Sequence, residues 1–285
     1  MSTLHATDRK LDYTKIEKTL TTQLNNYITN ANFKACIVGV SGGIDSAVVS
    51  TLAAKTWLLT ILLTMPIHQN SDEVTRADTH ITGLQSQYSN IIHHNIDLTE
   101  SYEIMKQTFV DSLDKSNQEL YMALVNTRSR LRMTTLYAIA QTNEWLVIGT
   151  GNKVEDFGIG FFTKYGDGWV DYSPIGNLTK SEVRKLAQHM GVSNKIIQAA
   201  PTDGLHPTGA TDEDQIGATY DELERAMEQF EKHLNICSSN YNSWYDNIIN
   251  FQNEFKNREL EVINIFLNRH LANRHKMKIP PIAEI

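Results

Sequence analysis

Asp45 is the residue whose surroundings most call for a chemical explanation. It lies in VGVSGGIDSAVVS (Val38 to Ser50), with Ser41, Gly42 and Gly43 before it and Ser46 after it. Adjacent glycines let a backbone turn tightly and approach a ligand closely. A helix starting there would point its unpaired N–H groups and the positive end of its dipole back into the turn, forming an anion site. Ser41 and Ser46 add hydroxyl donors. A carboxylate beside bound phosphate repels it unless a cation stands between them, so Asp45 points to Mg²⁺. An ordinary strand–helix turn with Asp45 as a first-turn cap would use the same residues. The Gly-Lys-Ser/Thr ending of a Walker loop and the spacing of a dinucleotide fingerprint are both missing.

A second group of chemistry-bearing residues fills GTGNKVEDFGIGFFTKYGDGWVDYSPIGNLTK, Gly149 to Lys180. Thr150 and Glu155 follow an apolar run, which places Glu155 to bring a second carboxylate to a metal near Asp45. Lys164, Asp167, Asp171 and Lys180 alternate with Phe161, Phe162, Tyr165 and Trp169. That mixture suits a charged ligand with flat rings. A packed loop with exposed salt bridges has the same composition. The segment reads as a loop, too rich in glycine for a helix and too aromatic for a solvated turn.

The elements that position these residues follow from hydrophobic periodicity. Helices are predicted at 11–31, 47–55, 71–88, 99–113, 117–143 and 178–190, the last closed by Gly191. Short β-branched or apolar runs at 34–40, 58–65, 90–97 and 144–150 read as strands. Alternation of this kind implies an α/β fold, a doubly wound parallel sheet with helices on both faces. The third run is the weakest and reads as an edge strand; its neighbours His93 and His94 face opposite ways and do not share a metal. Ligands of such sheets bind beyond the carboxyl ends of the strands, at the topological switch point. The SGGIDS loop, the Met65-Pro66 turn and GTGNKVE all emerge at that edge.

Composition bounds the function. The chain has 285 residues with 26 basic against 33 acidic side chains, a net charge of −7, which argues against a nucleic-acid partner. A local basic run, NRHLANRHKMK, is the exception. Two unpatterned cysteines, Cys36 and Cys237, suggest a reducing, cytoplasmic setting with no disulfide frame. The amino terminus lacks a signal-peptide core, and the longest apolar run is too short to span a membrane.

SGGIDS resembles the pyrophosphate-binding loop of the ATP pyrophosphatases, which cleave ATP between its α and β phosphates and adenylate a substrate oxygen. Within that superfamily the chain is similar to the NAD synthetases. The motifs that carry the likeness are Gly149-Thr150 with Glu155, Phe162-Thr163-Lys164-Tyr165-Gly166-Asp167-Gly168, Leu178-Thr179-Lys180, Asn126 with Arg130, Arg132 and Met133, and His275-Lys276 ahead of Pro280. The likeness runs from about Ile37 to Gly217 and resumes at the tail. It implies a sheet of the adenine-nucleotide α-hydrolase-like type and a single domain over 1–285. An N-terminal helix and a divergent helical segment at about 225–274 complete that domain.

The resemblance also implies the roles. ATP would contact Gly39, Val40, Ser41, Gly42, Gly43, Ile44, Asp45, Ser46, Met65, Thr150, Lys180 and Thr202. Mg²⁺ would be held by Asp45 and Glu155, and Asp45, Glu155 and Lys180 would be the catalytic set. Arg130, Lys164, Asp171, His275 and Lys276 would hold deamido-NAD. Ammonia would be the nitrogen donor, and the protein a homodimeric ligase. Pro201-Thr202-Asp203-Gly204-Leu205 departs from the family's Pro-Ser/Thr-Ala-Asp-Leu, so no role passes to Asp203. Another adenylating member of the superfamily, or a nucleotide binder without turnover, would share the loop.

Overall fold

The computed structural model describes residues 11–113, 115–116, 118–202, 211–236 and 251–283. Cys237 and Asp203 lie outside them. The chain begins α1 (Tyr13–Asn30), β1 (Ala35–Gly39), α2 (Ile44–Lys55), β2 (Leu59–Thr64), α3 (Ser71–Gln87) and β3 (Ile91–Asn95). It continues through α4 (Thr99–Leu113), α5 (Tyr121–Asn143), β4 (Leu146–Ile148) and a π-helix (Val154–Ile159). α6 (Lys180–His189), α7 (Asn194–Ile197), α8 (Asp212–Ile216), α9 (Tyr220–Ile236), α10 (Asn257–Asn273) and a 3₁₀ turn (Arg274–Lys276) complete it.

The four strands form one parallel sheet in the order β3-β2-β1-β4. Val38 of β1 pairs with Leu62 on one side and Ile148 on the other. Successive strands step away from β1 through β2 to β3, and the chain then returns to add β4 on β1's open side. The switch point therefore lies between the ends of β1 and β4, which is where such sheets bind ligands. β1 is buried from Ala35 to Val38 as a central parallel strand must be, whereas edge strand β3 buries Ile91 and leaves Ile92 exposed.

Both faces are covered. One side of the sheet, with Cys36, Val38 and Leu62, packs under α1, α2 and α6 through Leu24, Leu52 and Leu186. The other, with Ile37, Ile61 and Val147, packs under α4 and α5 through Tyr102 and Ala140. A third core is helical. Tyr220, Leu223 and Phe230 of α9 meet Val262, Phe266 and Leu267 of α10, and Val154 and Ile159 of the π-helix close it. No helix among the described residues is long and apolar enough to cross a membrane.

The structure changes three details. Glu144 adopts a left-handed φ of 57° and ends α5, so the expected strand at 144–150 shortens to Leu146–Ile148. The helix expected from residue 117 begins at Tyr121. The segment after β4 also contains a helix. Asn152 Oδ1 accepts from the N–H groups of Val154 and Glu155, each at 3.2 Å, and Gly160 closes the far end with φ 62°. The glycine that argued against a helix is here its terminator.

Candidate functional site

The turn after β1 is braced from within. Ser46 Oγ accepts from Ser41 N at 3.2 Å and donates to the Gly43 carbonyl at 3.0 Å, while Gly43 N donates to Ser41 Oγ at 3.2 Å. Gly42 has φ +85°, and a Cβ there would run into the Glu73 carbonyl of α3, so both conformation and space require glycine. Gly43 starts α2 without a side-chain cap, leaving the helix end to an anion. Arg76 of α3 donates from Nε to the Gly42 carbonyl at 3.2 Å and adds a cation beside the turn.

Three charges meet at the foot of this turn. Lys180, the first residue of α6 and only 4% exposed, places Nζ 2.6 Å from Asp45 Oδ2 and 3.0 Å from Glu155 Oε1. Asp45 comes from the first turn of α2, and Glu155 from the π-helix. Asn152 Nδ2 lies 3.5 Å from Asp45 Oδ1. Burial opposes the ammonium, but the two carboxylates outweigh it and hold Lys180 above the ordinary lysine value. Burial also pushes Glu155 upward; Lys180 and the Tyr220 hydroxyl reverse this and keep it below the usual glutamate value. Burial raises Asp45 against the pull of Lys180. Beside them, burial and the charges of Glu155, Asp167 and Asp45 push Asp156 well above the usual aspartate value.

These groups open onto a cavity of about 580 Å³ between the ends of β1 and β4. Gly39, Val40, Ser41, Gly43, Ile44, Asp45, Ser46, Met65, Thr150, Glu155, Lys180 and Thr202 line it, as does Lys276. Gly42 sits behind the turn, against α3. Thr202 Oγ1 donates to Glu73 Oε1 at 2.8 Å.

The remaining expected residues form a cluster beyond the lining. Arg130 Nε donates to the Lys164 carbonyl at 3.2 Å, and Lys164 Nζ to the His275 carbonyl at 2.8 Å. Lys276 Nζ ties the same 3₁₀ turn to the carbonyls of Gly160 and Phe162 at 2.7 and 2.8 Å. Asp171 stands apart from the cluster. Its carboxylate accepts from Val147 N at 2.8 Å and from the Tyr137 hydroxyl at 3.1 Å, stitching β4 to α5.

Sequence reasoning missed Arg76, Asn152, Asp156 and Tyr220. Asn152 carried a readable signal, an Asx residue two positions before a helical turn. Tyr220 carried none, because its site contact is made across 65 residues.

The donor set bears on a metal. Asp45 and Glu155 already share one cation, the Lys180 ammonium, and carboxylate oxygens are the hard ligands Mg²⁺ prefers. Among the described residues no group of three or more His, Cys, Asp or Glu is arranged to hold a metal ion. The residues therefore fit a Mg²⁺ held jointly with substrate phosphates rather than one caged by protein alone.

The sequence matches the NAD synthase family over residues 16–280. The chain belongs to that family. Its relatives include an NH₃-dependent NAD⁺ synthetase of Mycoplasma pneumoniae, 38% identical over 216 residues, 76% of this chain and 82% of that one. The NH₃-dependent NAD⁺ synthetase of Methanosarcina acetivorans is 30% identical over 279 residues, 96% of this chain and all of that one. Among solved structures, an NMN synthetase from Francisella tularensis superposes with a TM-score of 0.77 at 30% identity, covering 97% of this NAD synthase family member and all of that chain.

Proposed function

We propose that this ligase amidates deamido-NAD to NAD with ATP and free ammonia, releasing AMP and pyrophosphate. The observation that carries it is the Asp45–Lys180–Glu155 centre at the foot of the braced glycine turn, in a chain whose relatives include NH₃-dependent NAD⁺ synthetases. The sheet body and the helical C-terminal body work as one catalytic unit in this reading, in the cytoplasm.

The chain's residues divide the task. The turn from Ser41 to Ser46 and the start of α2 hold the pyrophosphate end of ATP, with Gly39, Val40, Met65, Thr150 and Thr202 lining the rest. Mg²⁺, bound by Asp45 and Glu155, would neutralise phosphate charge. Lys180 shares that neutralisation as the nicotinate carboxylate attacks the α-phosphate and pyrophosphate leaves. Ammonia then attacks the adenylated carboxyl carbon, AMP departs, and one proton is released. Lys276, with Arg130, Lys164 and His275 behind it, orients the pyridine nucleotide, and Asp171 fixes the strand that shapes its pocket. Homodimerisation is part of the proposal, supported by Ile104, Leu113 and Met122 of α4 and α5, each more than half exposed at 62, 55 and 61%.

The test incubates the purified chain with Mg²⁺, ATP, deamido-NAD and ammonium chloride. NAD and AMP should appear in equal amounts with no ADP, and glutamine should not replace ammonium. ADP as product, or ATP binding without NAD, overturns the reading. The near full-length match to an NMN synthetase favours a second acceptor, nicotinic acid mononucleotide, which carries the same nicotinate carboxylate without the adenylate half. Competition between the two acceptors decides which one the site prefers.

A further inference from the structure

Tyr220 and Glu224 stand four residues apart on α9, hence on one face of the helix. Each reaches a different half of the charge centre. Tyr220 is fully buried; its hydroxyl donates to Glu155 Oε1 at 2.5 Å and lies 3.3 Å from Asp212 Oδ2. A phenol has one proton to give, and the shorter distance assigns it to Glu155. The face of the same ring lies 5.0 Å from Lys180 Nζ and 5.9 Å from the Arg184 guanidinium.

Glu224, also buried, accepts from Ser181 N at 2.8 Å and from Ser181 Oγ at 2.5 Å. Ser181 directly follows Lys180 in the first turn of α6. That turn already has its own cap, the reciprocal box between Thr179 and Glu182. Glu224 is therefore not needed to start the helix; what it adds is a fixed distance between α6 and α9.

We infer that α9 is a two-point clamp, in which Tyr220 and Glu224 are positioning residues that set Glu155 and Lys180 at the separation the ATP end of the site requires. Glu155 Oε1 is held from two sides, by Tyr220 and Lys180, so the position of that oxygen is fixed. The π-helix carrying Glu155 rests on the core that α9 builds, through Val154 and Ile159. The clamp rests on the reading above that Glu155 and Lys180 serve ATP and Mg²⁺.

Tyr220→Phe keeps the ring and removes only the donor, and Glu224→Gln keeps the shape and weakens the tie to Ser181. Two readouts apply: calorimetric binding of ATP in the presence of Mg²⁺, and kcat and KM for each substrate. Tyr220→Phe should raise the Kd for Mg²⁺–ATP and lower kcat, each by about tenfold, as expected for one bond to a charged group. Its KM for deamido-NAD should stay within about twofold. Glu224→Gln should do the same at about threefold, and it carries the test if Tyr220→Phe does not fold. Wild-type Mg²⁺–ATP affinity and kcat in a folded Tyr220→Phe protein, or a lowered melting temperature with both unchanged, overturns the clamp. Weakened Mg²⁺–ATP binding in the variant, together with no NAD formed by the parent chain, leaves the clamp standing and removes the proposed reaction.

Discussion

Asp45 and Glu155 hold the same ammonium within 0.4 Å of the same distance, 2.6 against 3.0 Å, yet the sheet body and the C-terminal helical body support them in different ways. Asp45 belongs to a helix that follows a central strand directly, and its turn is braced mainly from within, by Ser41, Gly43 and Ser46, with Arg76 of α3 behind it. Glu155 belongs to a six-residue π-helix whose underside is covered by α9 and α10. One carboxylate is placed by local geometry, the other by distant chain. A local device survives much sequence change around it. A distant one depends on every layer between it and solvent.

The largest expected effect falls where the two bodies meet. Lys180→Met leaves two carboxylates in a buried site with no cation between them, which should cost about 3–5 kcal/mol of stability. NAD formation should fall by about a thousandfold. The pH dependence should move from strongly alkaline pH into the range between pH 5 and pH 8. In the parent chain the folded pKa of Lys180 is raised, so its contribution is complete below the unfolded value of about 10.4 and is lost as pH rises through the folded value. In the variant the carboxylates become harder to ionise when folded, so melting should occur at lower temperature at pH 8 than at pH 5. A variant that melts identically at both would show that the carboxylates were never held together by Lys180.

The second effect separates the carboxylates themselves. Asp45→Asn and Glu155→Gln each remove a hard oxygen charge and should lower kcat by about a hundredfold or more. Their folds should persist, because each variant still accepts from Lys180. Near-normal turnover with ordinary Mg²⁺ dependence in either variant would remove that residue from the catalytic set.

Third come two of the three cores. Leu62→Ala under the sheet and Phe266→Ala under the π-helix should each destabilise by about 2–5 kcal/mol. They should differ in the order of events during urea titration. Phe266→Ala should lose activity before the sheet unfolds, because Glu155 loses its support first; Leu62→Ala should lose both together. Coincident transitions in both variants would make the two bodies a single cooperative unit.

The smallest effect is acid sensitivity within the sheet body. His80 of α3 lies 2.9 Å from Ser50 Oγ, and burial pulls its pKa down to about 4. The unfolded chain then binds the extra proton between about 4 and 6.5, so stability declines as pH falls through that window, by up to about 3 kcal/mol. His80→Gln should flatten the melting curve between pH 6.5 and about 4. An unchanged curve would place the acid response elsewhere.

The same contrast explains what could be read before any coordinates. The glycine turn, the parallel sheet, the edge position of β3 and the convergence of the loops after β1, β2 and β4 were all legible, since each rests on neighbours in sequence. The meeting of Asp45, Lys180 and Glu155 at one centre was legible through the family resemblance. The π-helix was not. Its glycines argue for a loop, and the Asn152 signal does not outweigh them without the covering helices. Tyr220 and Glu224 were invisible for a related reason, because nothing in YDELERAME distinguishes a site-facing surface from a core-facing one. The placement of Asp171 along β4 likewise depends on a one-residue bridge, Ile148 to Tyr172, too brief to leave a pattern.

The pairing of Val38 with Ile148 also sets an order of events during synthesis. Chains emerge from the ribosome amino end first, and pairings distant in sequence form late. The first three strands and their helices can associate while the rest is still being made, and β4 completes the switch point once its segment is free. The π-helix must wait longer, since α9, α10 and the Lys276 anchor to Gly160 and Phe162 come last. A nascent chain halted before α10 would already own the phosphate turn while its second carboxylate had nothing to rest on. The seat of Glu155 is thus deferred until the turn at Arg274–Lys276 has docked, so a ribosome-bound fragment would hold the phosphate turn and no finished charge centre.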